Sequence, residues 1–165
     1  MAYHNDLIQQ AIFLSELNLP NEPKQVDLRR AVSAAYYGLF HLFTTEAAQN
    51  WKHRSQRDRF ARMFDHGHMK TCSSRVSSRP LPIDPAEIPI ATDLKIIADS
   101  FVKLQQARHT ADYDNSKVWS RTQVWETIAQ AEHAIAAWSK IREEAMAQDY
   151  LLDLISPKTG RATQI

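Results

Sequence analysis

The sequence predicts an all-α fold, an up-and-down bundle of four to five helices. Apolar side chains recur at spacings of three and four through most of the chain, and no strand-like alternation of any length occurs. Only three of the 165 residues are glycine, which disfavours turn-rich β folds and glycine-rich phosphate loops. We therefore expect one helical domain over residues 1–155 and a disordered tail over residues 156–165.

Two apolar stripes separated by prolines predict the first two helices. Residues 1–19 form the first stripe, after which Pro20 and Pro23 interrupt the chain. Residues 24–50 form the second, and their 34–41 section is apolar nearly all round, as is typical of a central helix. The small residues in the middle of this second helix predict the close approach of a neighbouring helix.

The third and fourth helices are predicted on either side of a region rich in serine and proline. Apolar residues indicate a third helix that ends near Asp65–Gly67, where the glycine is suited to a helix C-terminus. Residues 73–89 then indicate a loop. An acidic cap followed by proline makes Asp84–Glu87 a helix start, although Pro89 favours a later start of the regular helix. We expect this fourth helix to run to about Arg108.

The last helix is predicted to begin at a capping box. In Ser120–Gln123 a serine is followed three residues later by glutamine, the pattern that satisfies free backbone N–H groups at a helix start. The apolar face that follows predicts a helix to about Asp149, with a further short turn over residues 150–155.

Composition excludes several classes of protein. The chain has no P-loop or Rossmann glycine motif, and we expect no bound cofactor. The single cysteine, Cys72, excludes an internal disulfide framework and fits a reducing cytosol. No apolar run approaches a membrane span and no signal pattern begins the chain, so a cytoplasmic protein without a membrane partner is expected. A net charge of +1 means that any binding of nucleic acid needs a local patch.

The densest group of chemically active residues is Arg108–Asp114. It follows an apolar seam on one face of the fourth helix, formed by Leu94, Ile97, Phe101 and Leu104. Arg108 is the next step of that seam, so its guanidinium is expected to face other helices, and Asp112 lies one turn further on to pair with it. Two interpretations stay open: a structural Arg–Asp clamp at a helix end, and a functional site.

Two groups of histidines are further candidates. His109 is the best candidate for proton transfer, because it titrates near neutral pH and stands next to a fixed cation. His66 and His68 form a His-x-His pair, which is a weak metal signal without further ligands. We therefore expect no metal site.

Residues 51–79 form a strongly basic stretch. They contain eight lysines and arginines against two aspartates, an excess of six positive charges. These side chains can contact RNA phosphates, with Trp51 or Phe60 as a stacking face; a solvated helix face is the alternative. The candidate RNA-binding residues are Lys52, Arg54, Arg57 and Arg62.

Two motifs resemble a known family. Residues 28–41, LRRAVSAAYYGLFH, resemble the second-helix signature of HEPN domains (higher eukaryotes and prokaryotes nucleotide-binding). Arg108–Asp114, RHTADYD, resembles the R-x-x-A-D-Y ending of the fourth helix in one HEPN-like branch. Asp65–Gly67 falls where that branch tends to place a histidine. The resemblance spans roughly residues 3–145.

The resemblance implies a HEPN-like bundle of four or five helices, usually a homodimer whose arginine motifs face each other. Many relatives are metal-independent ribonucleases of toxin–antitoxin or anti-phage systems, which implies RNA as a ligand and a nucleotidyltransferase-like protein as a possible partner. In the motif, Arg108 matches the arginine, His109 the polar position, and Tyr113 the position of a catalytic histidine.

The tyrosine at position 113 leaves two functional hypotheses open. Tyrosine is a poor base at neutral pH, so either His109 or His66 supplies the imidazole, or the protein binds RNA without cleaving it. In an active enzyme Arg108 stabilises the transition state, Asp112 orients a neighbour and Tyr113 donates to phosphate. The alternative is a non-catalytic interaction or nucleotide-binding module.

Overall fold

Helices make up nearly all of the regular structure between residues 2 and 155, the part of the chain that this computed structural model describes. The α-helices are α1 (Tyr3–Glu16), α2 (Gln25–Gln49), α3 (Arg57–Ala61), α4 (His66–Ser78), α5 (Ile88–Tyr113), α6 (Arg121–Ile141) and α7 (Ala145–Leu154). The all-α prediction is confirmed, with seven α-helices in this range rather than four or five. The tail predicted over residues 156–165 lies outside the described residues.

Four long helices, α1, α2, α5 and α6, form an up-and-down bundle. Arg29 at the start of α2 donates to the carbonyl of Ala111 near the end of α5, so these two helices are antiparallel. Lys140 at the end of α6 faces Asp93 at the start of α5, which makes α5 and α6 antiparallel as well. The shorter helices add to this bundle, with α4 packed on α5 and α7.

The core lies between α2, α5, α6 and α7. Its largest fully buried side chains are aromatic: Tyr36, Phe43, Phe101, Trp138 and Tyr150.

The close approach predicted for α2 occurs against α1. A Cβ atom on Gly38 would lie 2.7 Å from Cδ1 of Ile8, so the glycine allows the two helices to touch. Over residues 2–155, no helix has both the length and the apolar character needed to cross a membrane.

The region around α4 differs from its prediction. The predicted helix end at Asp65–Gly67 is wrong, because Asp65 begins α4: its Oδ1 accepts the N–H of His68 at 2.8 Å. The predicted loop over residues 73–89 is wrong for its first six residues, since α4 continues to Ser78, and residues 79–87 form the connection to α5. The serines of α4 fit the helix because their hydroxyls donate to carbonyls of the preceding turn, as Ser73 does to Met69 at 2.7 Å.

Helix α5 begins after the cap at Asp84, as Pro89 indicates, and ends later than predicted. Asp84 caps a turn that precedes the helix by accepting the N–H of Ala86 at 2.9 Å, and the helix itself begins at Ile88. The helix ends at Tyr113 rather than near Arg108, so the Arg108 motif lies inside the helix.

Helix α6 confirms its predicted start and ends earlier than predicted. The capping box of Ser120 and Gln123 is present with both of its hydrogen bonds. The prediction of one helix to Asp149 is wrong, because α6 ends at Ile141 and α7 begins at Ala145. The new helix directs Tyr150 into the core, where its hydroxyl lies 2.7 Å from that of Ser73.

Candidate functional site

Arg108 projects from α5 towards α2, as its place in the apolar seam predicts. Its guanidinium carbon lies 5.2 Å from the ring centroid of Tyr36, and its side chain is only 12% exposed. Nη1 is 3.6 Å from Oδ2 of Asp112, which confirms the predicted pairing at a distance longer than a good hydrogen bond. The buried Nε atom has no hydrogen-bond partner within residues 2–155. The charge of Arg108 is therefore only partly compensated by its surroundings.

Asp112 and its neighbours connect the end of α5 to α2. The hydroxyl of Ser33 donates to Oδ1 of Asp112 at 2.6 Å. Arg29 donates to the carbonyls of Ala111, Asp114 and Lys117 at 2.8, 2.9 and 2.6 Å. These bonds satisfy carbonyls that the helix end leaves free, which explains why α5 extends beyond Arg108. They also hold the Arg108 motif in one orientation.

His66, the first residue of α4, lies in the same site as Arg108. Its Nδ1 lies 2.5 Å from the hydroxyl of Tyr36, and its ring stacks on Phe40 with centroids 4.3 Å apart. The side-chain amide of Gln105 donates to the carbonyl of His66 at 2.7 Å. Three helices thus bring Arg108, Tyr36 and His66 together, and we call these three residues the Arg–Tyr–His cluster.

Burial and the arginine charge set the protonation of this cluster. Burial lowers the pKa of His66 and the positive charge of Arg108 lowers it further, while Asp65 acts in the opposite direction. Burial raises the pKa of Tyr36 above its ordinary value, an effect that Arg108 opposes. At neutral pH the cluster therefore contains a neutral imidazole, a protonated phenol and a guanidinium. When the phenol donates to Nδ1, the imidazole carries its own proton on Nε2.

His109 and Tyr113 lie on a different face of α5 from Arg108. Consecutive residues are rotated by about 100° around a helix, so His109 points away from the cluster and is exposed. Its ring centroid is 5.0 Å from that of Tyr113, which is 67% exposed. The predicted site residues therefore form two groups, the partly buried side chains of Arg108, Asp112 and His66 between the helices and the exposed pair of His109 and Tyr113.

The four predicted RNA-binding residues have different surroundings. Lys52 and Arg54 are exposed, whereas Arg57 at the start of α3 donates to the carbonyls of Gln49, the last residue of α2, and Trp51, at 3.2 Å each. Arg62 lines a concavity beside α4.

The two predicted stacking residues pack against each other. The rings of Trp51 and Phe60 are stacked with their centroids 5.4 Å apart. Each therefore covers one face of the other, and that face is closed to a base.

The His-x-His pair is divided between two environments. His66 bonds to Tyr36, whereas Nε2 of His68 lies 2.9 Å from the carbonyl oxygen of Asp153 and 3.3 Å from Sγ of Cys72. Among the residues described by the structure, no three histidine, cysteine, aspartate or glutamate side chains are grouped so that they could hold a metal ion.

Sequence reasoning missed Ser33, Tyr36 and Gln105 as members of the site. A signal was present in α2, because Ser33 and Tyr36 are three residues apart and share a face of a helix that is otherwise apolar there. A hydroxyl at a buried position needs a partner, so this pair marks a polar contact with another helix.

The fold and the cluster define a helical bundle protein with a half-buried polar site at the junction of α2, α4 and α5. Comparison with protein-family models, with curated proteins and with solved structures gives no match. Roles for Arg108, Tyr36 and His66 therefore follow from their geometry and from the motif resemblance.

Proposed function

We propose that the chain is a HEPN-like protein that acts on RNA as a homodimer, with Arg108 at the dimer cleft, and that it cleaves RNA without a metal ion. The observation that supports this proposal best is the partly compensated guanidinium of Arg108 beside a neutral His66. A guanidinium can bind a phosphate, and the imidazole of His66 can accept a proton at Nε2 in the tautomer whose Nδ1–H donates to Tyr36.

The chemistry follows from these two groups. In metal-free cleavage the 2′-hydroxyl of RNA attacks the adjacent phosphorus and the 5′-oxygen leaves, with one group accepting a proton and another donating one. Arg108 stabilises the negative charge that develops on the phosphoryl oxygens. His66 accepts the proton of the 2′-hydroxyl at Nε2 while its Nδ1–H donates to the oxygen of Tyr36, and a water molecule protonates the 5′-oxygen as it leaves. Asp112 orients Arg108, and exposed Tyr113 is available to donate to a flanking phosphate.

A cleavage and binding assay tests the proposal. Purified full-length protein is incubated with single-stranded and structured RNAs in the presence of a chelator, and products are separated on gels while binding is followed by fluorescence polarisation. We expect cleavage, or binding alone if the site has lost its chemistry, and loss of both in Arg108→Met. Arg59→Gln, an exposed change in the same basic stretch, is the matched control. Wild-type protein that neither cleaves nor binds any RNA refutes the proposal.

A specific observation favours a second candidate, a non-catalytic interaction module that acts with a nucleotidyltransferase-like partner. Asp112 is bound by both Arg108 and Ser33, and Arg29 binds three carbonyls at the end of α5, so these residues also fit a structural clamp. In that case Arg108→Met disrupts folding or dimerisation rather than RNA binding alone. Light scattering and circular dichroism of the variant distinguish the two functions.

A further inference from the structure

A concavity lies between the connection from α3 to α4 and the end of α7. Its volume is about 1160 Å³, comparable to or slightly larger than most small-molecule sites. Its lining includes three guanidinium groups, those of Arg62, Arg75 and Arg79. It also includes apolar side chains, among them Phe64, Leu152 and Ile155. We call it the arginine pocket; none of the Arg–Tyr–His cluster residues lines it.

The spacing of residues along α4 places several of its side chains in the lining of the arginine pocket. His68, Cys72 and Arg75 follow one another at intervals of four and three, so they share one face of α4, and Arg79 follows directly after the end of the helix. The positive charges of Arg75 and Arg79, four residues apart, repel each other, and this repulsion destabilises the pocket when no anion is bound. A bound anion would remove that repulsion.

The carboxylates of the arginine pocket do not neutralise it. Asp65 already accepts the N–H of His68 as the cap of α4. Asp153 lies 4.0 Å from Arg79 with both side chains more than half exposed, so this pair is weak and open to exchange. Three guanidinium groups against two carboxylates leave a positive excess.

We propose that the arginine pocket binds an organic phosphomonoester with an apolar or planar body. The guanidinium groups of Arg75 and Arg79 bind the phosphoryl oxygens, because their paired N–H donors match that geometry. Arg62 adds its terminal nitrogens, while its Nε donates to the carbonyl of Asp58 at 3.2 Å.

The apolar body of the proposed ligand packs on the apolar residues that line the pocket. Leu152 is 66% exposed and faces the pocket, so covering it with an apolar group removes surface from water. This requirement distinguishes the proposed ligand from inorganic phosphate, which presents no apolar surface. The site is separate from Arg108, so it extends beyond the proposed action on RNA.

Binding of phenyl phosphate to the full-length protein tests this proposal, measured by calorimetry and by NMR of the arginine Nε–Hε groups. Arg75→Gln and Arg79→Gln are each expected to weaken binding about ten-fold, the equivalent of one charge-assisted hydrogen bond. Leu152→Ser is expected to weaken binding of phenyl phosphate and to leave inorganic phosphate unaffected. Arg59→Gln, outside the pocket, should bind as the wild type does.

Three results would overturn the proposal. They are no binding of phenyl phosphate, binding that Arg75→Gln and Arg79→Gln do not weaken, and equal affinity for phenyl phosphate and inorganic phosphate. Repeating the titration with Arg108→Met separates this site from the proposed RNA site. Unchanged binding of phenyl phosphate is expected there whether or not the protein acts on RNA, whereas lost binding in a folded variant would contradict a separate pocket.

Discussion

Arg108 and Arg121 are two nearly buried arginines that differ in how many of their guanidinium donors form hydrogen bonds. Arg121 is 6% exposed and donates to the carbonyls of Ser15 at 2.8 Å and Leu17 at 2.9 Å, as well as to that of Asn21. Within residues 2–155, Arg108 is paired with Asp112 at 3.6 Å and lies over the ring of Tyr36, and its Nε has no hydrogen-bond partner. The two side chains are buried to a similar degree, so the difference between them lies in their hydrogen bonds. A guanidinium whose donors are used by backbone carbonyls holds structure, whereas one with spare donors is available to a ligand.

The positions of the two arginines agree with this distinction. Arg121 begins α6 and binds the end of α1 and the connection to α2, three carbonyls that no helix satisfies. Arg108 lies beside a phenol and an imidazole, neither of which can neutralise it. The first arrangement satisfies backbone groups, and the second brings together a guanidinium, a phenol and an imidazole.

The largest effect on stability is expected from Arg121→Ala. The substitution leaves buried carbonyls without donors and opens a cavity, so the free energy of unfolding should fall by about 4 kcal/mol. Urea denaturation followed by tryptophan fluorescence measures it. Arg59→Ala, at an exposed position, should change stability by less than about 0.5 kcal/mol. An Arg121→Ala protein as stable as the wild type would show that Arg121 is not a structural arginine.

A smaller loss of stability is expected from Tyr36→Phe. The ring still packs in the core, but Nδ1 of His66 loses its hydroxyl partner at 2.5 Å. Stability should decrease by about 1–2 kcal/mol, the usual cost of one unmade buried hydrogen bond. Tyr113→Phe removes the same hydroxyl from an exposed side chain and is the control. If both variants lose equal stability, the contact between Tyr36 and His66 contributes nothing specific.

Local spacing predicted much of the fold and only part of the site. The seam of Leu94, Ile97 and Phe101 and the capping box at Ser120 depend on neighbours within one or two turns, and both are present. The pairing of Arg108 with Asp112 is local in the same way.

The remaining features depend on contacts between distant parts of the chain. Helix α5 extends to Tyr113 because Arg29, more than eighty residues earlier, binds its last carbonyls. His66 meets Tyr36 because α4 packs on α5. The serines of α4 are typical of a loop in the sequence, although their hydroxyls bond within the helix. Periodicity within one segment carries no information on such contacts.

Arg108→Met should have little effect on stability and a clear effect on His66. A methionine keeps the apolar contact with Tyr36, and the partly exposed carboxylate of Asp112 keeps Ser33 as a donor, so stability should change by less than about 1 kcal/mol. Because the charge of Arg108 lowers the pKa of His66, its removal should raise that pKa. Titration of the His66 ring protons by NMR measures the shift. An unchanged His66 pKa would mean that the two groups are not coupled.

Burial of His66, together with the charge of Arg108, gives the wild-type protein a pH-dependent stability. The pKa of His66 is lower in the folded protein than its ordinary value of about 6.5, so unfolding takes up a proton in the interval between the two values. Stability should therefore fall as the pH decreases below about 6.5. The slope should be smaller in Arg108→Met and should lose the contribution of this residue in His66→Asn. Urea denaturation at several pH values tests the sign.

The smallest effect on stability, and the sharpest test of the site, is expected from His109→Ala. The side chain is exposed, so stability should change by less than about 0.5 kcal/mol. RNA cleavage should persist if His66 transfers the proton, and it should disappear in His66→Asn. Gel assays of both variants, normalised to folded protein, decide between the two imidazoles. The reverse result would mean that the exposed face of His109 and Tyr113 meets the RNA, and that the spare donors of Arg108 mark a clamp rather than a reaction centre.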